Sequence, residues 1–412
     1  MYSRLFLFVA VVAVAGCGNV QQRPDSSACS ELSATSATCS KSSYITLESE
    51  GQSEHPTIAF IEFNDDGLPF DITDRDTVIG NISALSSQSD RSLLMVTFIH
   101  GWHHNAAQTD RNVIEFKSFL RSLQKEEQNL AVGTPRSVVG IYIGWQGKAS
   151  ESSKLANLLS YRKKKELGLE TGRKSVIQVV QKLQTIRESD HNSRLVLVGH
   201  SFGGGVLYSA IKEALLEKLG DSSSRNIDLF GDLVILMNPA VEAQQFEVVH
   251  SALNKRFPEC TPISMVSFTS EADTALSDEF PRGMRLFYRE RLKGNAHDAL
   301  ITTAYGRYTE FSNYELRIDP GTDVESTLSR RVFNAAVPSW RRFRMAQSSF
   351  DLGGIELFRR VNDSEPTAWQ PVLNVLVDKS LIGGHNEIWN PEFLYFLRAL
   401  IGMEFAKLRQ CG

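Results

Sequence analysis

Few of the features that would set this chain apart from an ordinary globular protein are present. Its 44 Lys and Arg nearly balance 48 Asp and Glu, for a net charge of −4, so no excess of either sign points to nucleic acid. No internal repeat is found, which excludes solenoids and propellers. Long apolar runs are missing too: the most obvious one, at 5–15, is about eleven residues, short of the ~18 needed to cross a bilayer. Cysteine is scarce, with five in 412 residues. What remains is a composition 42% hydrophobic and 22% charged, enough for a large core. The length suits two or three domains, or one large α/β unit with additions.

The first seventeen residues, MYSRLFLFVAVVAVAGC, place one charge, Arg4, ahead of that apolar run, the form of an export signal. The end Val14-Ala15-Gly16-Cys17 resembles the bacterial lipobox, in which the cysteine is acylated and becomes the new N-terminus. Residues 1–16 are therefore expected to be a lipoprotein signal peptide, with Cys17 the anchor of the chain to a membrane face. Gly18 rather than Asp after it suggests the outer membrane of a bacterial envelope. In that oxidising compartment the remaining Cys29, Cys39, Cys260 and Cys411 are an even set, which suggests disulfides. Cys29 with Cys39 is the local pairing and would leave Cys260 for Cys411; other pairings and free thiols stay open. Residues 17–55, rich in Ser, Thr and Gln, hold too little apolar surface to fold alone and read as a flexible tether.

From residue 56 the chain alternates. Apolar, β-branched segments at 57–63, 93–102, 137–145, 194–201, 232–238, 263–270 and 372–378 fit strands buried on both faces. Helical patterns lie between several of them, and a last one, PEFLYFLRALIGMEFAKL, closes the chain. That rhythm predicts a mostly parallel sheet with helices on both faces. It breaks at 274–370, a basic and aromatic stretch read as an insertion or cap before the last strand.

Within 194–210 the sequence RLVLVGHSFGGGVLYSA boxes Ser201 between Gly199-His200 and Phe202-Gly203, the G-x-S-x-G of a nucleophile elbow. Such a pattern arises by chance in roughly one chain in seven of this size, so its context decides. A strand before it and a helix after it supply the turn that projects the hydroxyl, and the glycines leave room for that turn. Serine needs a base within hydrogen-bond reach, itself oriented by a carboxylate. In the order serine, acid, histidine, the base lies late: His385, in the Gly-rich loop SLIGGHNEIWNPEF, is preferred to His297 in the irregular insertion. The acid is expected just past the strand at 263–270, with Asp273 ahead of Glu271 and Asp278, and Glu242 one strand earlier as a further candidate. All four also fit surface carboxylates or helix caps. Oxyanion donors would be the backbone amides of Phe202 and of Trp102 in FIHGWHHNA, with His100-Gly101 bracing that loop. His100, His103 and His104 are close enough in sequence to suggest zinc, but no Cys or acid stands beside them at ligand spacing, and no metal or other cofactor is expected.

Together the HGW turn, the GHSFG elbow, Asp273 and the late His385 resemble the α/β-hydrolase superfamily over residues 56–412, and the ending GGHNEIWNPEF is similar to those of bacterial serine esterase/lipase-like hydrolases. The resemblance implies cleavage of a small-molecule or lipid ester through an acyl-enzyme. Acyl transfer to another acceptor, and a scaffold lipoprotein that has lost turnover, are the competing readings. Oligomeric state and substrate are not legible.

Overall fold

The computed structural model describes residues 44–47, 55–64, 68–69, 72–88, 92–130, 134–145, 172–220, 231–258, 261–289, 292–294, 296–322, 324, 328–345, 347–360 and 369–408. The expected signal peptide and all five cysteines lie outside them.

The first half of the chain gives strands β1 (Tyr44–Thr46), β2 (Thr57–Phe63), β3 (Leu93–Ile99), β4 (Ser137–Trp145) and β5 (Arg194–His200). Helices α1 (Ile72–Gln88), α2 (Arg111–Leu130), α3 (Ile177–Glu188) and α4 (Phe202–Gly220) accompany them. Then come β6 (Leu233–Met237), α5 (Ala243–Ala252), β7 (Met265–Ser270), α6 (Phe280–Phe287) and α7 (Ala296–Thr302). The remainder is β8 (Tyr314–Ile318), α8 (Arg330–Met345), β9 (Ser349–Asp351), β10 (Ile355–Arg359), β11 (Val372–Val377) and α9 (Pro391–Leu408).

Among the described residues, eleven strands form one sheet in the order β1-β2-β4-β3-β5-β6-β7-β11-β8-β10-β9. Among these described strands, pairing is parallel from β2 through β8 and antiparallel where β1 joins β2 and where β10 joins β8 and β9. Strands β3, β5, β6 and β7 are buried at every position, as continuous apolar runs require when helices cover both faces. One face packs on α2, α8 and α9 around Phe116, Trp340 and Phe396. The other packs on α1, α3, α4 and α5 around Ile82, Leu183, Leu207 and Phe246. No described helix is long and apolar enough to cross a membrane.

One stretch departs from the sequence reading, and another gains detail. Within the expected tether, Tyr44–Thr46 pairs with β2 and Leu47 is buried, so the folded body takes in residues ahead of 56. Tyr, Ile, Thr and Leu in succession favour an extended, half-buried strand despite the polar setting. The stretch 274–370 contributes β8, β9 and β10, which lengthen the sheet beyond β11, and α8, which packs beside α9.

Candidate active site

Between the end of β5 and the start of α4 a single residue makes the corner. It is Ser201, with φ 53°, a left-handed conformation that costs a non-glycine residue about 1 kcal/mol. The turn closes tightly enough that a Cβ on Gly203 would stand 2.2 Å from the Ile99 carbonyl oxygen, and one on Gly199 2.8 Å from the Gly203 carbonyl oxygen. Backbone bonds fix it: the Ser201 N–H donates to Met237, and the Ser201 carbonyl accepts from Gly205 and Ala240. The side chain is 3% exposed and stands beside the N-terminus of α4, where unpaired N–H groups favour negative charge.

His385 comes from the loop between β11 and α9. Its Nε2 lies 2.7 Å from Ser201 Oγ and its Nδ1 lies 2.6 Å from Asp273 Oδ2. A carboxylate at Nδ1 fixes the tautomer: Nδ1–H donates to Asp273 and Nε2 is left to accept the serine proton. Asp273, three residues past β7, is fully buried, and its Oδ1 accepts the Leu276 N–H at 2.9 Å. The hydroxyl, imidazole and carboxylate thus form an unbroken chain, able to pass a proton from serine to imidazole while the carboxylate stabilises the charge.

The neighbouring loop, after β3, begins at the fully buried His100. Its Nδ1–H donates to the Gly101 carbonyl at 2.8 Å, and its Nε2 accepts the Trp145 backbone N–H at 3.1 Å. Trp145 Nε1–H donates in turn to the His100 carbonyl at 2.7 Å, and the two rings stack. Burial holds the imidazole down to about 4, so it is neutral near pH 7, as an accepting Nε2 demands. Gly101 follows against the serine: a Cβ there would meet Ser201 Cβ at 2.9 Å. The next residue, Trp102, sets its ring edge-on to Phe202 with centroids 5.9 Å apart. The zinc-suggestive histidines diverge, since exposed His103 stacks on Trp102 whereas His104 pairs with Asp110 at 3.1 Å.

The other sequence candidates lie apart from this cluster. His297 is exposed on α7 with its Nε2 3.4 Å from the Gln244 amide nitrogen. Glu271 accepts the Lys379 N–H at 3.2 Å, Asp278 is exposed, and Glu242 stands at the start of α5 in a backbone bridge to Ala304.

Sequence reasoning did not anticipate three supports. Trp145 holds His100. Ser270 Oγ–H donates to the Ile382 carbonyl at 2.5 Å, at the base of the His385 loop. Asn238, one residue past β6, donates from Nδ2 to the His385 carbonyl at 2.9 Å, and His200 Nε2–H donates to the same oxygen at 2.8 Å. The available signal was a polar residue at the carboxyl end of a buried strand, the edge at which open α/β sheets gather their sites. Burial, reinforced by the adjacent His385, keeps His200 well below the usual histidine range.

No curated protein matches this sequence. Among solved structures, a Trichoderma reesei cutinase in complex with a phosphonate inhibitor is similar at 16% identity and a TM-score of 0.20, over 48% of this chain and 74% of that one. The sheet order, the helices on both faces and the serine corner make the fold that of an α/β-hydrolase, and residues 78–279 match the family described as "Alpha/beta hydrolase of unknown function (DUF900)".

Proposed function

We propose that the protein is a serine hydrolase that cleaves carboxylic esters through an acyl-enzyme, with Ser201, His385 and Asp273 as its catalytic residues. The observation behind this reading is the pair of short hydrogen bonds joining Asp273, His385 and Ser201. As Oγ adds to the ester carbonyl, its proton passes to Nε2 of His385, and Asp273 steadies the imidazolium. The carbonyl oxygen becomes an oxyanion held by the backbone N–H groups of Phe202 and Trp102, each such donor being worth about 3 kcal/mol of transition-state stabilisation. Collapse breaks the bond to the leaving alkoxide, which takes the proton from Nε2. Water then repeats the sequence on the acyl-enzyme, releasing the acid and restoring the serine.

The test is covalent labelling with a fluorophosphonate together with hydrolysis of p-nitrophenyl esters of graded chain length. Wild type should label and turn over, and Ser201→Ala should do neither. An unlabelled, inactive wild type would overturn the reading in favour of a scaffold, and the chain-length profile would divide esterase from lipase.

The N-terminal segment belongs to the same proposal. An apolar run ending in Val14-Ala15-Gly16-Cys17 supports acylation of Cys17, which would hold the hydrolase on the bacterial envelope, at the outer membrane, with the stretch before Tyr44 as its tether. Radiolabelled palmitate should enter wild type and not Cys17→Ser; equal incorporation would remove the anchor.

A further inference from the structure

Asn238 joins all three limbs of the serine–histidine–aspartate cluster, although it is part of none of them. It follows Met237, whose carbonyl receives the Ser201 N–H. Its own N–H donates to Phe268 of β7, and its Oδ1 accepts the Ser270 N–H at 2.8 Å, at the tip of the strand that leads to Asp273. Its Nδ2 donates to the His385 carbonyl at 2.9 Å and reaches the Gly384 carbonyl at 3.3 Å. The amide can satisfy this set in one orientation only, with oxygen toward an N–H and nitrogen toward two carbonyls. The residue is fully buried and sits at φ 44°, a conformation that Asn tolerates better than most side chains. A left-handed turn at the end of β6 therefore brings one amide between the acid-bearing strand and the base-bearing loop.

We propose that Asn238 is a positioning residue that sets the His385 imidazole between Ser201 and Asp273 by fastening the His385 backbone to the tip of β7. The inference rests on the catalytic reading above, and it predicts a geometric effect that can be read without turnover. Without the amide, the loop keeps the His200 bond and the Ser270–Ile382 bond, which leaves it attached but free to pivot. The imidazole then spends part of its time out of line, and the chemical step slows while substrate binding is retained.

The experiment uses the full-length protein in two variants. Asn238→Gly removes the side chain while accepting the left-handed backbone. Asn238→Asp keeps the shape and the acceptor for Ser270 but turns a second oxygen toward the His385 carbonyl. Fluorophosphonate labelling rate, kcat and KM for a short p-nitrophenyl ester, and the low-field proton resonance of the His385–Asp273 hydrogen bond are compared with wild type. Both variants should label at least tenfold more slowly, lose kcat with KM within about twofold, and show that resonance broadened or absent at a temperature where circular dichroism reports native structure. Labelling within twofold of wild type together with an unchanged resonance would overturn the inference. Should wild type fail to label while Asn238→Gly still abolishes the resonance, the catalytic reading falls and the positioning role stands.

Discussion

His100 and His200 show how a single buried ring can set the pH range of the molecule. Burial is the largest cause lowering both, His100 to about 4, so the folded protein keeps them neutral where the unfolded chain, with a histidine near 6.5, takes up a proton. Below about pH 6.5 the unfolded state binds more protons than the folded one, and stability falls with decreasing pH; above it the two states bind equally and the contribution is constant. For His100 the loss accumulates down to pH 4 and amounts to roughly 3 kcal/mol. Urea midpoints measured from pH 7.5 to 4 should fall steadily in the acid half of the range. His100→Gln, less stable at neutral pH through loss of the Trp145 bond, should show a shallower fall, and an identical slope would exclude this ring as a source.

The glycines on either side of Ser201 tolerate little change, because the atoms nearest to Gly199 and Gly203 belong to backbone and not to flexible side chains. A methyl group on Gly203 would press on the carbonyl oxygens of Ile99 and His100 at 2.2 and 2.5 Å, and neither can yield without moving β3 or the loop that follows it. Gly203→Ala should therefore cost about 1–3 kcal/mol by calorimetry and depress fluorophosphonate labelling well beyond that loss of stability. At this scale much was legible in the sequence. Seven strands were visible as continuous apolar runs, because a strand covered on both faces has no polar side to obscure it. The clustering of Ser201, Asp273 and His385 was legible because Ser201 and Asp273 lie just past strand ends and His385 in the loop between the last strand and the last helix, in a fixed order. Less visible were α1, whose apolar stripe is thin, and β8 and β10, whose alternating Tyr-Glu-Leu-Arg and Ile-Glu-Leu-Phe patterns carry charge inside short segments. Asn238 and Trp145 were illegible for another reason: their roles come from neighbours across the sheet, far away in sequence, and no local pattern records that.

Across the whole molecule, the stretch 274–370 is bound to the body by buried charge. Glu404 on α9 accepts from Trp340 Nε1 at 2.7 Å, from the Ile263 N–H at 2.9 Å and from Arg344 at 3.2 Å, and Arg344 lies over the Trp369 ring. A second pair, Arg398 with Glu126, also receives the Leu328 N–H and ties α2 to the same assembly. Removing one partner of such a pair costs about 3–5 kcal/mol, since the other is left buried with its charge. Glu404→Ala should lower the unfolding free energy by that amount while leaving a single calorimetric transition. A separate early transition would mean that the stretch unfolds independently of the sheet.

The same sheet ends, on the β9 side, in a strand of three residues, Ser349–Asp351, that turns back at once through Gly353 and Gly354, both with positive φ. So short a border offers a visiting chain only a rung or two of ladder before the turn swings the backbone away. Growth of the sheet into fibrils by edge-to-edge stacking is therefore disfavoured on that flank.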